Sequence, residues 1–245
     1  MKQFILLLQF ACMATFLHAQ VGEEKTEYKK SYMASASEFI LSMGNLGNTK
    51  IYGPNPTGGP QILISDKATS PVPRFSAFFH FTQQMHYNFS SGFGMYTGLG
   101  LRNIGMINNL NDTIRVKHRA YSISVPLAFK IGNMGKKSYF ALGGEAEYMF
   151  HFKQKVFVGE GRGDKQNKTS EWFSSRLNGF NPSVFVEMNF GRGSYIRVKY
   201  YLMDFLNANS RQGINVSGQD LNFTTDSSQL FAISFGKVVS KKKKQ

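Results

Sequence analysis

Cysteine is almost absent: Cys12 is the only one, and it lies in an N-terminal stretch that reads as a leader. The chain beyond it has no thiol, which excludes disulfides and cysteine-ligated metal. Long apolar runs are missing too. After Gln20 no stretch of eighteen apolar residues occurs, so no transmembrane helix is expected there. Acidic residues are scarce, 15 against 29 basic ones, for a formal charge of +14. In a cytoplasmic chain that excess points to nucleic acid. In an exported one the available anions are lipid headgroups and surface phosphates, and nucleic acid is set aside.

Export is read from the first residues. "MKQFILLLQFACMATFLHA" has a basic Lys2, an apolar run from Phe4 to Leu17 and a small residue, Ala19, ahead of Gln20. That is the layout of a cleaved secretory signal peptide. The division expected along the chain is residues 1–19 leader, 20–36 periplasmic N-terminal segment, 37–239 barrel and 240–245 basic tail.

What the chain has in quantity is alternation. In "FSAFFHFTQQMHYN", Phe75, Ala77, Phe79, Phe81 and Met85 share one face, while Ser76, Phe78, His80, Thr82, Gln84 and His86 share the other. "FGMYTGLGLR" sets Phe93, Met95, Leu99 and Leu101 against glycines, Tyr96 and Arg102. "YSISVPLAFKI", "FALGGEAEYMFHFK", "FNPSVFVEMNF" and "YIRVKYYL" repeat the scheme, and "SEFILSMG" and "QLFAISFGKV" close the set. In the second of these, Phe140, Leu142, Tyr148, Phe150 and Phe152 oppose Glu145, Glu147, His151 and Lys153. Period two with aromatic and branched residues is the strand pattern, and eight such strands are expected. Pro126 and Pro182 fall inside two of them. Proline cannot donate to a ladder, so a local bulge is expected at each.

The links alternate in length. Short ones fall at 90–92, 132–137 and 191–194; long polar ones span 45–73, 108–117, 156–179 and 204–228. This sorting fits an up-and-down barrel with tight periplasmic turns and large outer loops. In lipid every backbone polar group must be paired within the protein, so a sheet must close. Its outer face must be apolar and its inner face need not be. A soluble lipocalin-like barrel would have the reverse polarity. The fold expected is all-β, an eight-stranded antiparallel transmembrane barrel in an outer membrane. Within the first and last long links, "TKIYG"/"QILIS" and "GINV"/"LNFTT" read as hairpins.

The segments "SGFGMYTGLGLRNIG", "YSISVPLAFKIG" and "YFALGGEAEYMF" resemble those of the Bacteroidota outer-membrane β-barrel family, the PorT-like or "porin family" proteins. The likeness runs from Ser37 to Val239 and implies the same fold and location, without naming a role. The chain departs at its end, where "SFGKVV" is followed by "SKKKKQ" instead of closing on an aromatic residue.

Eight charges share the inner phase: Arg102, Lys130, Glu145, Glu147, Lys153, Glu187, Arg197 and Lys199. Unpaired charge in a narrow barrel is costly, so mutual pairing is expected. The expected result is a polar plug; the alternative is a narrow pore. A second set, Arg115, Lys117, Arg119 and Lys155, clusters at the bases of two outer loops. It can contact lipopolysaccharide phosphates or remain ordinary solvated charge. His118, with Asp112 and Ser122 nearby, is the candidate for a lipid A-modifying enzyme, but three residues close in sequence do not make a triad. His80, His86 and His151 read as structural, and "RGD" at Arg162–Asp164 as a chance triplet. No cofactor or metal is expected. The partners expected are outer-membrane lipids, lipopolysaccharide among them, and the barrel-assembly machinery. The chain is expected as a monomer or within a larger complex.

Overall fold

The computed structural model describes residues 27–159 and 164–240. The leader at 1–19, the triplet's Arg162 and Gly163, and the lysines at 241–244 lie outside the described residues. In chain order the strands are β1 (Ser31–Leu46), β2 (Thr49–Gly53), β3 (Ile62–Lys67), β4 (Ser70–Val72), β5 (Arg74–Ser76), β6 (Phe81–Asn88), β7 (Phe93–Asn109) and β8 (Ile114–Asn133). They continue with β9 (Ser138–Val158), β10 (Asp164–Trp172), β11 (Phe180–Phe190), β12 (Ser194–Tyr201), β13 (Gln212–Val216), β14 (Gln219–Thr225) and β15 (Ser228–Ser240).

The pairing closes on itself. β1 pairs with β5 and β6, β6 with β7, β7 with β8 and β8 with β9, all antiparallel. β9 pairs with β11, β11 with β12, β12 with β15, and β15 returns to β1. Because β5 and β6 are halves of one stave, the ring is an eight-stranded antiparallel transmembrane barrel. The short turns gather at one end and the long connections at the other. There β2, β3, β13 and β14, the two expected hairpins, join into one four-stranded sheet.

The polarity is that of a wall facing acyl chains. Phe39, Leu41, Phe81, Met85, Leu99, Leu127, Phe129, Leu142, Met188 and Phe235 are exposed, and their strand neighbours are buried or, at Gly98, Gly143 and Gly236, half-buried. On β8 the exposed apolar set runs from Ile123 to Ile131, topped by Tyr121. At roughly 3.3 Å per residue and a tilt near 40° the span from Tyr121 to Ile131 covers about 25 Å, the height of a lipid-facing apolar band.

Several details depart from the sequence reading. β1 starts at Ser31, ahead of the barrel boundary expected at 37. Much of the expected long loops at 108–117 and 156–179 is strand, since β7, β8 and β9 run 17, 20 and 21 residues and rise beyond the apolar belt. The single strand expected over Phe75–Asn88 is broken at Ala77–His80, where four residues face only two of β1. Phe78, expected inside, is 75% exposed beside Phe79, whose φ of 66° marks the left-handed kink.

Neither proline makes a bulge. Pro126 pairs in register with Glu145, and Pro182 with Ala146. The β7–β8 ladder keeps its register across Pro126 but lacks pairs at Pro126 and Val125. The missing N–H faces β7, and Thr97 Oγ1 donates to the Pro126 carbonyl at 2.8 Å. Pro182 sits where the ladder to β12 begins, so its missing donor breaks nothing. The bulge of this region lies elsewhere: Ser122 faces Met149 while Tyr121 faces His151, leaving Phe150 as the extra residue.

Candidate functional site

The lumen is filled in three tiers. At the short-turn end Lys130 Nζ donates to Asn88 Oδ1 at 2.7 Å and lies 5.2 Å from the centroid of Tyr139. Tyr32 stacks on His86 there at 4.5 Å, and His86 meets Tyr96 at 5.1 Å. Gly94 leaves room for this tier, since a Cβ on it would come within 3.0 Å of Lys130 Cε.

The middle tier is ionic. Arg102 pairs with Glu38, and its Nε donates to Glu145 Oε1 at 2.8 Å. Lys199 pairs with Glu145 and reaches Glu147 Oε1 at 2.9 Å. Arg197 Nη2 reaches Glu187 Oε2 at 2.6 Å. Hydroxyls extend the web: Tyr96 donates to Glu187, Tyr195 to Glu38, and Tyr201 and Ser122 to Glu147, at 2.8–3.2 Å. Charged groups taken out of water need this density of partners to offset desolvation. All seven charged side chains are no more than 3% exposed.

The third tier, toward the long-connection end, is apolar. From the connection after β10, residues 173–179, Leu177 turns inward, and from residues 202–211 after β12, Phe205 and Leu206 do the same. Leu177 meets Leu206 in an antiparallel bridge. Phe205 and Leu206 are buried there with Ile104, Met106, Val116, Phe152, Ile214 and Phe223. Above the belt the barrel is therefore packed like a soluble core.

Of the eight inner charges expected, seven face the lumen. Lys153 does not. The extra residue at Phe150 reverses the phase of upper β9, so Phe152 turns inward and Lys153 outward. Glu187 binds Arg197 but not Lys199, which serves Glu145 and Glu147 instead. Glu38 was missed; its position opposite in phase to Phe39 and Leu41 is the sequence feature that marks it.

The barrel wall has one stitched gap. Between Phe81–Leu101 and Val72–Ile107 no strand pairing joins β7 to its neighbour. Arg74 Nη2 donates to Asn103 Oδ1 at 2.7 Å and Nη1 to the Asn103 carbonyl at 3.2 Å. The Asn103 amide donates to His80 Nδ1 at 3.3 Å, so His80 donates from Nε2 to Ser76 Oγ, 2.8 Å away. Side chains here replace a ladder.

The residues weighed as a triad are dispersed. His118, above the belt, is buried between Phe152 and Phe223 and contacts Gln154 at 3.2 Å. Burial, then the charge of Arg176, holds it neutral down to about pH 3. Ser122 is committed to Glu147 in the ionic tier, and Asp112 lines a rim cavity of about 280 Å³ with Asn111 and Arg115. Among the described residues no cluster of three His, Asp or Glu side chains is placed to hold a metal.

The outer basic set is drawn together. Arg115, Lys117 and Arg119 on β8 and Lys155 on β9 all point outward just above the belt, and the phase reversal adds Lys153.

No protein-family model matches the chain, and no curated protein matches it. Among solved structures it is similar to Ail, the attachment invasion locus protein of Yersinia pestis, at 12% identity over 83% of this chain and 98% of that one, with a TM-score of 0.27. It is similar to the outer membrane protein OprG of Pseudomonas aeruginosa at 9% identity, covering 89% and 99%, TM-score 0.40. The outer membrane protein AlkL, solved in lipid bilayers, matches at 13% identity, covering 92% and 98%, TM-score 0.40. At these levels no role carries over, and the barrel is read from its own strand pairing.

Proposed function

We propose that this protein is a non-enzymatic outer-membrane barrel with a closed lumen, serving a structural or surface-interaction role. The short-turn end, with both barrel termini, faces the periplasm, and the joined hairpins face outward. The observation that carries the reading is the burial of the ionic tier. A water-filled bore would leave the side chains lining it accessible, yet Arg102, Glu145, Glu147, Glu187, Arg197 and Lys199 are 0–3% exposed. An eight-stranded ring has room for side chains and little more. The apolar tier adds a second closure above the first. The resemblance of three segments to those of the Bacteroidota outer-membrane family supports the location, as does the leader expected at residues 1–19.

The competing reading is a narrow pore, and planar bilayers distinguish the two. The purified barrel, inserted at high protein-to-lipid ratio in 1 M salt, is expected to give no sustained conductance steps. Steps that persist, and that change size in Lys199→Met, overturn the closed-lumen reading.

A further inference from the structure

The outward face of β8–β10 above the belt carries a lattice of cations that the lumen does not use. Lys117 lies directly opposite Lys155, and Lys155 directly opposite Lys168, so three lysines form one row across three strands. One row below, Arg119 faces Lys153; one row above, Arg115 and Lys165 flank Phe157. Like charges directly opposite in a sheet repel. Among the described residues none of these seven cations pairs with a carboxylate. Burial first, then repulsion from Arg74, Arg119 and Lys155, holds the Lys117 ammonium below the ordinary lysine range.

The height of the lattice identifies what lies beside it. Directly beneath are Tyr121, His151 and Trp172 in one row, with ring centroids 5.6 and 4.4 Å apart. Amphipathic rings at the top of an apolar belt mark the membrane interface. Arg119 and Lys153 rest over the Tyr121 ring at 5.5 and 5.4 Å, which places their charges at headgroup level. The staves across the barrel end instead in Asn45, Tyr200 and Gln229, with no matching row of opposed cations. The footprint, two strand spacings by about four residues, is roughly 10 by 13 Å. That is too wide, and too highly charged, for a single phosphodiester.

We infer that this face binds the phosphate groups of a glycolipid headgroup in the outer leaflet, engaging more than one phosphate at once. Guanidinium forks and ammonium groups are the donors such oxyanions take. The inference rests on the outer-membrane placement proposed above.

Trp172 is the chain's only tryptophan and borders the lattice, so its emission reports occupancy. The full-length barrel is placed in phosphatidylcholine nanodiscs and titrated with bisphosphorylated lipid A, dephosphorylated lipid A or phosphatidylglycerol. Inorganic pyrophosphate is added to the bulk in a fourth arm. Expected is saturation by bisphosphorylated lipid A at a mole fraction at least tenfold below either other lipid, with no competition from pyrophosphate. The triple variant Lys117→Gln/Lys155→Gln/Lys168→Gln should lose that preference while keeping the gel-mobility shift of a folded barrel. Equal response to dephosphorylated lipid A, or an unchanged triple variant, overturns the site with the membrane reading intact. Full competition by pyrophosphate overturns the lipid as occupant. Failure of the wild-type chain to enter nanodiscs overturns both.

Discussion

Lys199 Nζ lies 2.9 Å from Glu147 Oε1, and neither side chain is more than 3% exposed. Lys199 also pairs with Glu145, so one ammonium holds two carboxylates apart at the barrel axis. Removing one member of a buried ionic group typically costs about 3–5 kcal/mol, because the partner charge stays behind. Lys199→Met should lower stability by that order, read as the urea midpoint of the barrel in lipid vesicles. Adding Glu147→Gln should recover part of the loss. An unchanged midpoint in the single variant would mean that the ionic tier does not hold the lumen together.

The apolar tier makes a separate prediction. Phe205 is fully buried where the two inward segments meet. Truncating a buried phenylalanine costs about 3–5 kcal/mol. Phe205→Ala should therefore loosen residues 173–179 and 202–211 together, seen as earlier protease cleavage of both, with the transmembrane strands still protected. Cleavage confined to 202–211 would show that the two segments do not support one another.

The phase reversal on β9 can be read by labelling. In a Cys12→Ser background, Lys153→Cys should react with a membrane-impermeant maleimide in intact cells, and Phe152→Cys should not. The opposite result would place the extra residue somewhere other than Phe150.

The stitched gap beside β7 predicts a local weakness. Arg74→Ala leaves the Asn103 carbonyl without its donor inside the wall. An orphaned buried acceptor costs about 1–3 kcal/mol, so amide exchange over residues 102–106 should speed up by about tenfold or more. Exchange as slow as in the wild-type chain would mean the gap is held by other contacts.

Most of the wall was legible in the sequence, because lipid imposes one rule on every stave. Phe39, Leu127 and Val186 fall outward and Glu145 and Lys199 inward simply by parity. Parity fails wherever a residue is added without a sequence mark. Nothing in "EYMFHFK" distinguishes Phe150 as the extra residue, and so Lys153 was put on the wrong face. Proline was over-read. A missing N–H costs the ladder a bond without having to shift it: at Pro126 the pairs to β7 lapse at two positions, a threonine hydroxyl binds the proline's own carbonyl, and the register is kept. The apolar tier was hidden because Leu177, Phe205 and Leu206 sit in polar connections whose path inward depends on contacts distant in sequence. The basic set was visible, but its packing into opposed pairs needed the register.

The seam between β1 and β15 runs for thirteen residue pairs, Ala34 with Ser240 through Leu46 with Ser228. The earliest strand made is thus sealed by the latest one. Until Ser228–Ser240 arrives, both would-be neighbours stand as bare ribbon margins in a medium that offers their peptides no water. Insertion cannot finish stave by stave before β15 is delivered, because without Ser228–Ser240 nothing stands between β1 and β12 to seal the cylinder.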